Sequence, residues 1–288
     1  MDLLNPRIPV GEWAEDVLDW MTRNLAWFFD AVQVVLTSVY DGLYFVLSTP
    51  VYLVMIAIFT ALAWWISGVK VAIFTAVGFY LIRAFDQWDN AMSTIALVLV
   101  AVLIALVLAI PLGIWAARSN TVSRILKPVL DLMQTLPALV YLVPAITIFS
   151  VGVAPGAIAT LIFALPPGVR LTELAIRGVD KEVVEAGNAF GATKGRILKQ
   201  IQLPLALPTI MAGVNQVIML ALSMVVLAGM AGAGGLGGAV TASLASLNVP
   251  LGIESGLAVV IIAIFLDRIS NSVGTRSSYI NKLEKANA

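Results

Sequence analysis

The sequence predicts an all-α, polytopic membrane protein with about seven transmembrane helices. Of its 288 residues, 60% are hydrophobic and only 12% are charged, which leaves too little polar surface to cover a soluble globule of this length. Four tracts contain no Asp, Glu, Lys or Arg, and each exceeds the roughly 20 residues that a helix needs to cross hydrocarbon. These tracts are 42–69, 90–117, 132–169 and 200–253.

The first predicted element is an amphipathic helix over residues 25–47. Its polar residues fall three or four apart, on one helical face: Asp30, Gln33, Thr37, Asp41 and Tyr44. Two aspartates near the middle of a span would be costly in hydrocarbon. We therefore expect this helix to lie in the membrane interface, with a transmembrane helix as the alternative.

The predicted spans follow in order along the chain. Two of the uncharged tracts are long enough for two crossings each, and glycine-containing segments at 151–156 and 229–238 divide them. The seven predicted spans are 50–67, 69–84, 91–117, 133–150, 156–172, 206–229 and 253–270. The chain is thereby divided into an N-terminal tail with the amphipathic helix (1–47), two accessory spans (48–88), a core (89–272) and a tail (273–288).

The distribution of basic residues predicts the orientation of these spans. Placing the charged loop 172–204 in the cytoplasm puts fourteen of the seventeen Lys and Arg residues on that side, as the positive-inside rule requires. Only Arg7, Arg23 and Arg83 fall on the opposite side, together with the acidic N-terminal tail. We therefore expect the N terminus outside and the C terminus in the cytoplasm.

The loop between the third and fourth core spans has its own local pattern. Residues 182–190 contain good helix formers, and Gly191 is a natural helix stop. Thr193 can cap a second short helix that runs to about residue 202. Leu203-Pro204 and Pro208 then interrupt the helical pattern before the next span. The pattern predicts a helix-turn-helix elbow. The alternative is an ordinary solvated loop, but such a loop does not require residues at fixed spacings.

The elbow carries a spaced motif: Glu185-Ala186-Gly187, three residues, Gly191, nine residues, then Ile201-x-Leu203-Pro204. It resembles the signature cytoplasmic loop of ATP-binding-cassette (ABC) importer permeases, E-A-A-x3-G-x9-I-x-L-P, from which only Gly187 departs. The resemblance implies that the elbow docks in a cleft of an ATPase subunit, whose closure switches the pathway from inward-open to outward-open. The implied coupling residues are Glu185, Ala186, Gly187, Phe190, Gly191, Ile201, Leu203 and Pro204.

Two further segments, 133–144 and 231–237, resemble the glycine betaine/proline/choline branch of that family. The branch implies a five-helix importer core and the import of glycine betaine-, choline- or proline-type compatible solutes. The implied substrate pathway includes Gln134, Pro137, Tyr141 and Ser223. Quaternary ammonium groups are often bound in aromatic cages, and the spans contain no such cluster. We therefore expect solute selectivity to reside in an extracytoplasmic binding protein.

The chain itself offers no catalytic or cofactor-binding residues. It has no cysteine and no histidine, which excludes thiol chemistry and His-ligated metals, and it lacks the G-x-x-x-x-G-K-[ST] loop that binds ATP. ATP hydrolysis is therefore expected in a separate subunit. The resemblance implies two ATPase copies, a binding protein and a homodimer of this permease in a bacterial inner membrane, with lipid but no nucleic acid as a further partner.

Two other functions remain open at this point. An ABC permease for another small solute, such as an amino acid, would carry the same elbow. An ion-coupled secondary transporter is disfavoured because such proteins place ionisable residues inside their spans, and the predicted core spans contain essentially none.

Overall fold

The computed structural model describes residues 9–276, which are almost entirely helical and include no strand. Residues 1–8 and 277–288, the latter being most of the predicted cytoplasmic tail, lie outside the described residues. The helices are α1 (Val10–Asn24), α2 (Ala26–Ser48), α3 (Tyr52–Ser67), α4 (Val69–Ala84), α5 (Trp88–Arg118), α6 (Asn120–Thr135), α7 (Leu142–Phe149), α8 (Val153–Arg177), α9 (Lys181–Ala189), α10 (Lys194–Ile197), α11 (Leu203–Ala228), α12 (Gly235–Ser246) and α13 (Val249–Arg276).

The centre of the fold is a bundle of α5, α8 and α11. At one end, which we call the distal end, the N–H of Gly152 before α8 donates to the carbonyl of Ala231 after α11, at 3.0 Å. At the other end, the elbow end, Arg177 in the last turn of α8 donates to the carbonyl of Ala116 in the last turn of α5, at 2.8 Å. Helices α5 and α8 are therefore parallel, and α11 is antiparallel to both.

Small residues line the contact among these three helices, which we call the seam. Because alanine side chains are short, the helix backbones can approach closely, as is typical of helix packing in membranes. The seam alanines are at most 2% exposed: Ala105, Ala109, Ala157, Ala164, Ala221 and Ala228.

Helices α3 and α4 form a hairpin joined by Gly68 alone. The two predicted spans at 50–67 and 69–84 are therefore confirmed as helices. Each has 16 residues, or roughly 24 Å at 1.5 Å per residue. Aromatic rings hold the hairpin together and join it to α13. The ring centroid of Phe79 on α4 lies 4.8 Å from that of Phe59 on α3 and 5.1 Å from that of Phe265 on α13.

Two specific contacts join helix α2 to the distal end of the fold. Near its start, the ring of Phe29 lies 5.7 Å from that of Phe149, at the end of α7. In its second half, the hydroxyl of Tyr40 is 2.8 Å from that of Ser93, near the start of α5. By length and composition α2 could cross a membrane, yet these contacts lie at one end of the bundle. The interfacial placement of α2 stays a prediction, which the contacts favour.

Within residues 9–276, five helical segments are long and apolar enough to cross a membrane by length and composition: α2, α5, α8, the segment 194–231 and α13. The predicted single span at 133–150 is wrong. Helix α6 ends at Thr135, and the pair formed by 120–135 and 138–149 is bent by 107°. The bend falls at Leu136-Pro137, where proline disfavours the helical conformation of the residue before it. Taken together, the bent pair would make a sixth span.

Three further details differ from the sequence-based expectations. The acidic N-terminal tail contains the helix α1. The glycine-rich break at 229–238 is followed by the helix α12, whose start is held by a hydrogen bond from the N–H of Leu236 to the hydroxyl of Thr94, at 2.9 Å. Pro204 and Pro208 do not break the helix as predicted, since Pro204 lies in the first turn of α11 and Pro208 lies inside the same helix.

Candidate functional site

The predicted elbow is present, and side-chain caps define its two helices. The carboxylate of Asp180 accepts from the N–H of Glu182 at 2.9 Å and caps α9. The hydroxyl of Thr193 accepts from the N–H of Arg196 and caps α10, as predicted. Each cap satisfies a backbone donor that the helix itself leaves free. The elbow therefore has a defined local structure.

The turn between α9 and α10 depends on Gly191. Its φ is +75°, a left-handed conformation that costs a residue with a Cβ roughly 1–2 kcal/mol. The turn is closed by hydrogen bonds from the N–H of Gly191 to the carbonyl of Asn188, at 2.9 Å, and from the N–H of Ala192 to the carbonyl of Gly187, at 3.1 Å. The predicted helix stop is thus confirmed, with a conformational reason.

Gly187, where the sequence departs from the E-A-A motif, lies against Ile201. A Cβ at position 187 would come within 2.8 Å of the Cδ1 of Ile201. That atom is the end of a flexible side chain, so a small rotation would make room for a methyl group. Gly in place of Ala is therefore compatible with the same elbow geometry. Gly187 and Ile201, two of the predicted coupling residues, are neighbours in this elbow.

The elbow is anchored to the bundle by a small apolar cluster. From the elbow, Leu198 belongs to this cluster and is 8% exposed, and Val184 and Leu203 pack against it. On the bundle side the cluster contains Ala175, Ile176 and Val179 at the end of α8, together with Ala206 and Ile210 of α11. The base of the elbow is therefore fixed to α8 and α11, and its tip is not.

The tip carries an exposed surface that includes predicted coupling residues. Glu185 and Ala186 are exposed on α9, and Phe190 is 92% exposed. Between the elbow and the ends of α5 and α8 lies a cavity of about 490 Å³, to which Glu185 and Arg118 contribute. Fully exposed aromatic side chains are frequent anchors of protein interfaces. This surface can therefore contact another protein.

A π-helical turn, Leu198–Gln202, links α10 to α11 without a break. Such turns widen the helix locally, just before the two prolines that remove N–H donors from the first turns of α11. Ile201, Leu203 and Pro204 therefore belong to a continuous helical path from the elbow into the bundle. The expected interruption of the helical pattern at Leu203-Pro204 and Pro208 is therefore absent.

A polar cluster that the sequence analysis missed lies at the elbow end of the bundle. The carboxylate of Glu173, a residue only 8% exposed, accepts from the hydroxyl of Ser123 at 2.7 Å and pairs with the guanidinium of Arg177 at 2.9 Å. Arg177 also donates to the side-chain carbonyl of Asn120. We call Asn120, Ser123, Glu173 and Arg177, with the carbonyl of Ala116, the end cluster. The sequence could have revealed this cluster only if the path of α6 and its pairing with α8 had been known.

The residues predicted for the substrate pathway lie near the bend and on α11. Gln134 and Pro137 are exposed, and Ser223 is exposed on α11. Tyr141 is 9% exposed, and its hydroxyl donates to the carbonyl of Met133 at 2.7 Å, across the bend. Tyr141 therefore holds the bend together, and the pathway role of all four residues stays a prediction.

Gln216 on α11 was not singled out in the sequence. It is exposed two turns before Ser223, on the same face of the helix. An exposed amide in the middle of a span is costly against lipid. A search for polar residues inside predicted spans could have found it, since it lies in the middle of 206–229.

Comparisons with known proteins agree with this geometry. Residues 109–276 match the family described as "Binding-protein-dependent transport system inner membrane component". The glycine betaine transport system permease protein OpuAB of Bacillus subtilis is 48% identical over 95% of this chain and 96% of its own length. The glycine betaine/proline betaine permease protein ProW of Escherichia coli is 45% identical over 94% of this chain and 76% of its own.

A third relative and a solved structure complete the comparison. The glycine betaine/carnitine permease protein GbuB of Listeria monocytogenes is 43% identical over 94% of this chain and 98% of its own length. An inward-facing structure of the MetNI methionine ABC transporter matches 66% of this chain and 95% of its own, with a TM-score of 0.62 and 19% identity. At that identity the match concerns the fold alone.

Proposed function

Because this chain belongs to the family of binding-protein-dependent transport system inner membrane components, we propose that it is the permease of an ATP-driven importer of glycine betaine and related compatible solutes. The observation that carries this proposal is the elbow, with its motif intact apart from Gly187 and its tip exposed. The relatives' names supply the solute class.

The elbow is the proposed contact with the ATPase. The predicted coupling residues include an exposed set on α9 and at its C-terminal end, with Glu185 and Phe190, and a set that continues into α11, with Ile201 and Pro204. The first set would receive the ATPase and the second would carry its motion into the bundle. Two ATPase subunits are expected, one for each permease subunit, and ATP is bound by them alone.

The proposed pathway lies between two copies of the permease. A single small bundle cannot enclose a passage, and a two-fold homodimer is the commonest solution. The exposed polar face of α11 with Gln216 and Ser223, and Gln134 before the bend, support a water-lined passage rather than a lipid-facing one. An extracytoplasmic binding protein would deliver the solute to the distal end.

The proposed topology places the elbow end in the cytoplasm of a bacterial cell and the distal end outside. Lys181, Lys194, Arg196 and Lys199 are all exposed around the elbow, in agreement with the positive-inside rule. The N terminus would then be external and the C terminus cytoplasmic. The divisions at 1–47, 48–88, 89–272 and 273–288 remain part of this proposal.

Reconstitution tests the function directly. In proteoliposomes that contain the permease and its ATPase, we expect glycine betaine uptake to require both internal ATP and the binding protein. Uptake that follows a sodium or proton gradient without ATP would instead identify a secondary transporter. ATP-driven uptake of an amino acid, unaffected by excess glycine betaine, would leave the importer class intact and contradict the solute.

A further inference from the structure

The end cluster ties three helix ends together. Glu173 reaches from α8 to Ser123 on α6. Arg177 reaches from α8 to Asn120 on α6 at 2.8 Å and to the carbonyl of Ala116 on α5 at 2.8 Å. A buried carboxylate is stable only when its partners are present, so Glu173 and Arg177 depend on each other. The cluster therefore fixes the start of α6 to the end of α8.

The end cluster also lies directly before the elbow, at the end of α8, which we call the root of the elbow. Arg177 is the last residue of α8 and Lys181 the first of α9, so only residues 178–180 separate them. The middle of these, Val179, is buried in the cluster that anchors the elbow. A displacement of α9 therefore acts on Arg177 across a connection too short and too well packed to absorb it.

The other side of the cluster leads to the bend. Helix α6 starts at Asn120, within the cluster, and ends at Thr135, next to the bend. Leu126, Leu130 and Met133 seat it against α5 and α8. Beside this contact a cleft of about 390 Å³ separates the charged faces of α6 and α8. At the elbow end, polar contacts rather than continuous packing join the two helices.

We propose that Glu173 and Arg177 are positioning residues that lock α6 to the root of the elbow, so that movement of α9 is transmitted to the Leu136-Pro137 bend. The proposal rests on the proposed coupling role of the elbow. The bend is where the proposed pathway residues Gln134 and Pro137 lie, so the lock connects the ATPase contact to the pathway through α6. This route runs beside the direct one from α10 into α11.

A simpler reading is that an ion pair four residues apart merely supports α8. That reading accounts for the bond between Glu173 and Arg177 but not for their other contacts. Ser123, Asn120 and the carbonyl of Ala116 all lie on other helices. Support of one helix would require none of them.

The test removes the contacts to α6 and keeps the ion pair. The double variant Asn120→Ala/Ser123→Ala removes the hydrogen bond between Ser123 and Glu173 and the one between Arg177 and Asn120. Glu173 and Arg177 remain paired with each other. Glycine betaine uptake and ATP hydrolysis are measured in the same proteoliposomes, with the ATPase and binding protein present. We expect the solute imported per ATP to fall at least about fivefold, the lower range of site-to-site coupling, while the complex still hydrolyses ATP.

Asp131→Asn is the matched control. Asp131 pairs with Arg170 between the same two helices, but this pair is far more exposed, and exposed pairs contribute little. We expect its ratio of uptake to hydrolysis to stay within about twofold of the unmodified protein, since such pairs are worth only fractions of a kcal/mol. An unchanged ratio in the α6 variant, or equal losses in variant and control, would overturn the proposal.

Distances between spin labels distinguish a failure of this inference from a failure of the proposed function. Asn188→Cys reports on the elbow and Thr135→Cys on the end of α6, and the chain has no other cysteine. On trapping the ATPase with ATP and vanadate, both label-to-label distances across the dimer should change in the otherwise unmodified protein. In the α6 variant only the distance at 188 should change. Retained movement at 135 would overturn the lock, whereas no movement at 188 in the unmodified protein would overturn the coupling role of the elbow.

Discussion

The seam and the elbow both rely on small residues, but for opposite purposes. In the seam, Ala109 and Ala164 are fully buried, and their size lets helix backbones approach. In the elbow, Gly191 lies at the surface with no neighbour within reach of a Cβ, and it supplies a backbone conformation. Substitutions in the seam should therefore change whether the permease folds. Substitutions in the elbow should change whether a folded permease responds to its ATPase.

Gly191→Pro gives the largest expected effect, and it is confined to function. Proline fixes φ near −65°, whereas Gly191 has φ +75°, so the turn between α9 and α10 cannot form. ATP-driven uptake should fall by about a hundredfold, the upper range of coupling between sites, while the amount of inserted protein stays unchanged. Uptake is measured in proteoliposomes.

The control for this variant is Gly195→Ala, two residues into α10. Gly195 has an ordinary φ and open space around it, so uptake should persist. Equal loss in both variants would show that the elbow tolerates no change at all, and would remove the special role of the turn.

Ala109→Leu tests the seam side of the comparison. Ala109 is fully buried, and a Cβ added at Gly168 would lie 2.9 Å from its side chain, so there is no room for three more carbons. We expect a loss of about 1 to 3 kcal/mol of stability, measured by thermal unfolding in detergent. Val107→Leu on the same helix, at a residue that is 69% exposed, should unfold at the unmodified temperature; a matching decrease would contradict the comparison.

Phe190→Ala should weaken the complex without affecting the fold. Removing a central exposed aromatic from an interface costs about 2 kcal/mol, or roughly thirtyfold in Kd. Binding of purified ATPase to the permease in nanodiscs measures it. Val183→Ala, on the adjoining helix α9 and 40% exposed, should change the Kd less. An unaltered Kd for the Phe190 variant would place the ATPase contact elsewhere on the elbow.

Gly187→Ala is the smallest expected effect. The added methyl comes too close only to the end of the Ile201 side chain and makes ordinary contacts with Ile197, and the better helix propensity of Ala, up to about 1 kcal/mol, offsets the close contact. Stability and ATP-driven uptake should both stay near those of the unmodified protein. A marked loss of uptake with normal stability would show that this position contacts the ATPase directly.

Local patterns allowed the helices and the elbow to be predicted from the sequence. The hairpin spans, the Thr193 cap and the turn at Gly191 depend on neighbours a few residues away. The end cluster could not be predicted, because Ser123 and Glu173 are fifty residues apart and meet only once α6 folds back along α8. Helix α12 was missed because its glycines have low propensity, which tertiary packing outweighs.

Two contacts of α2 limit how the distal end can open. Phe29 holds the end of α7 and Tyr40 holds the start of α5, so one rigid helix braces both. Widening a gap between α5 and α7 within one subunit would require breaking a ring contact or the hydroxyl pair. In the proposed homodimer, a gate at the distal end would therefore open more easily between the two subunits than within one of them.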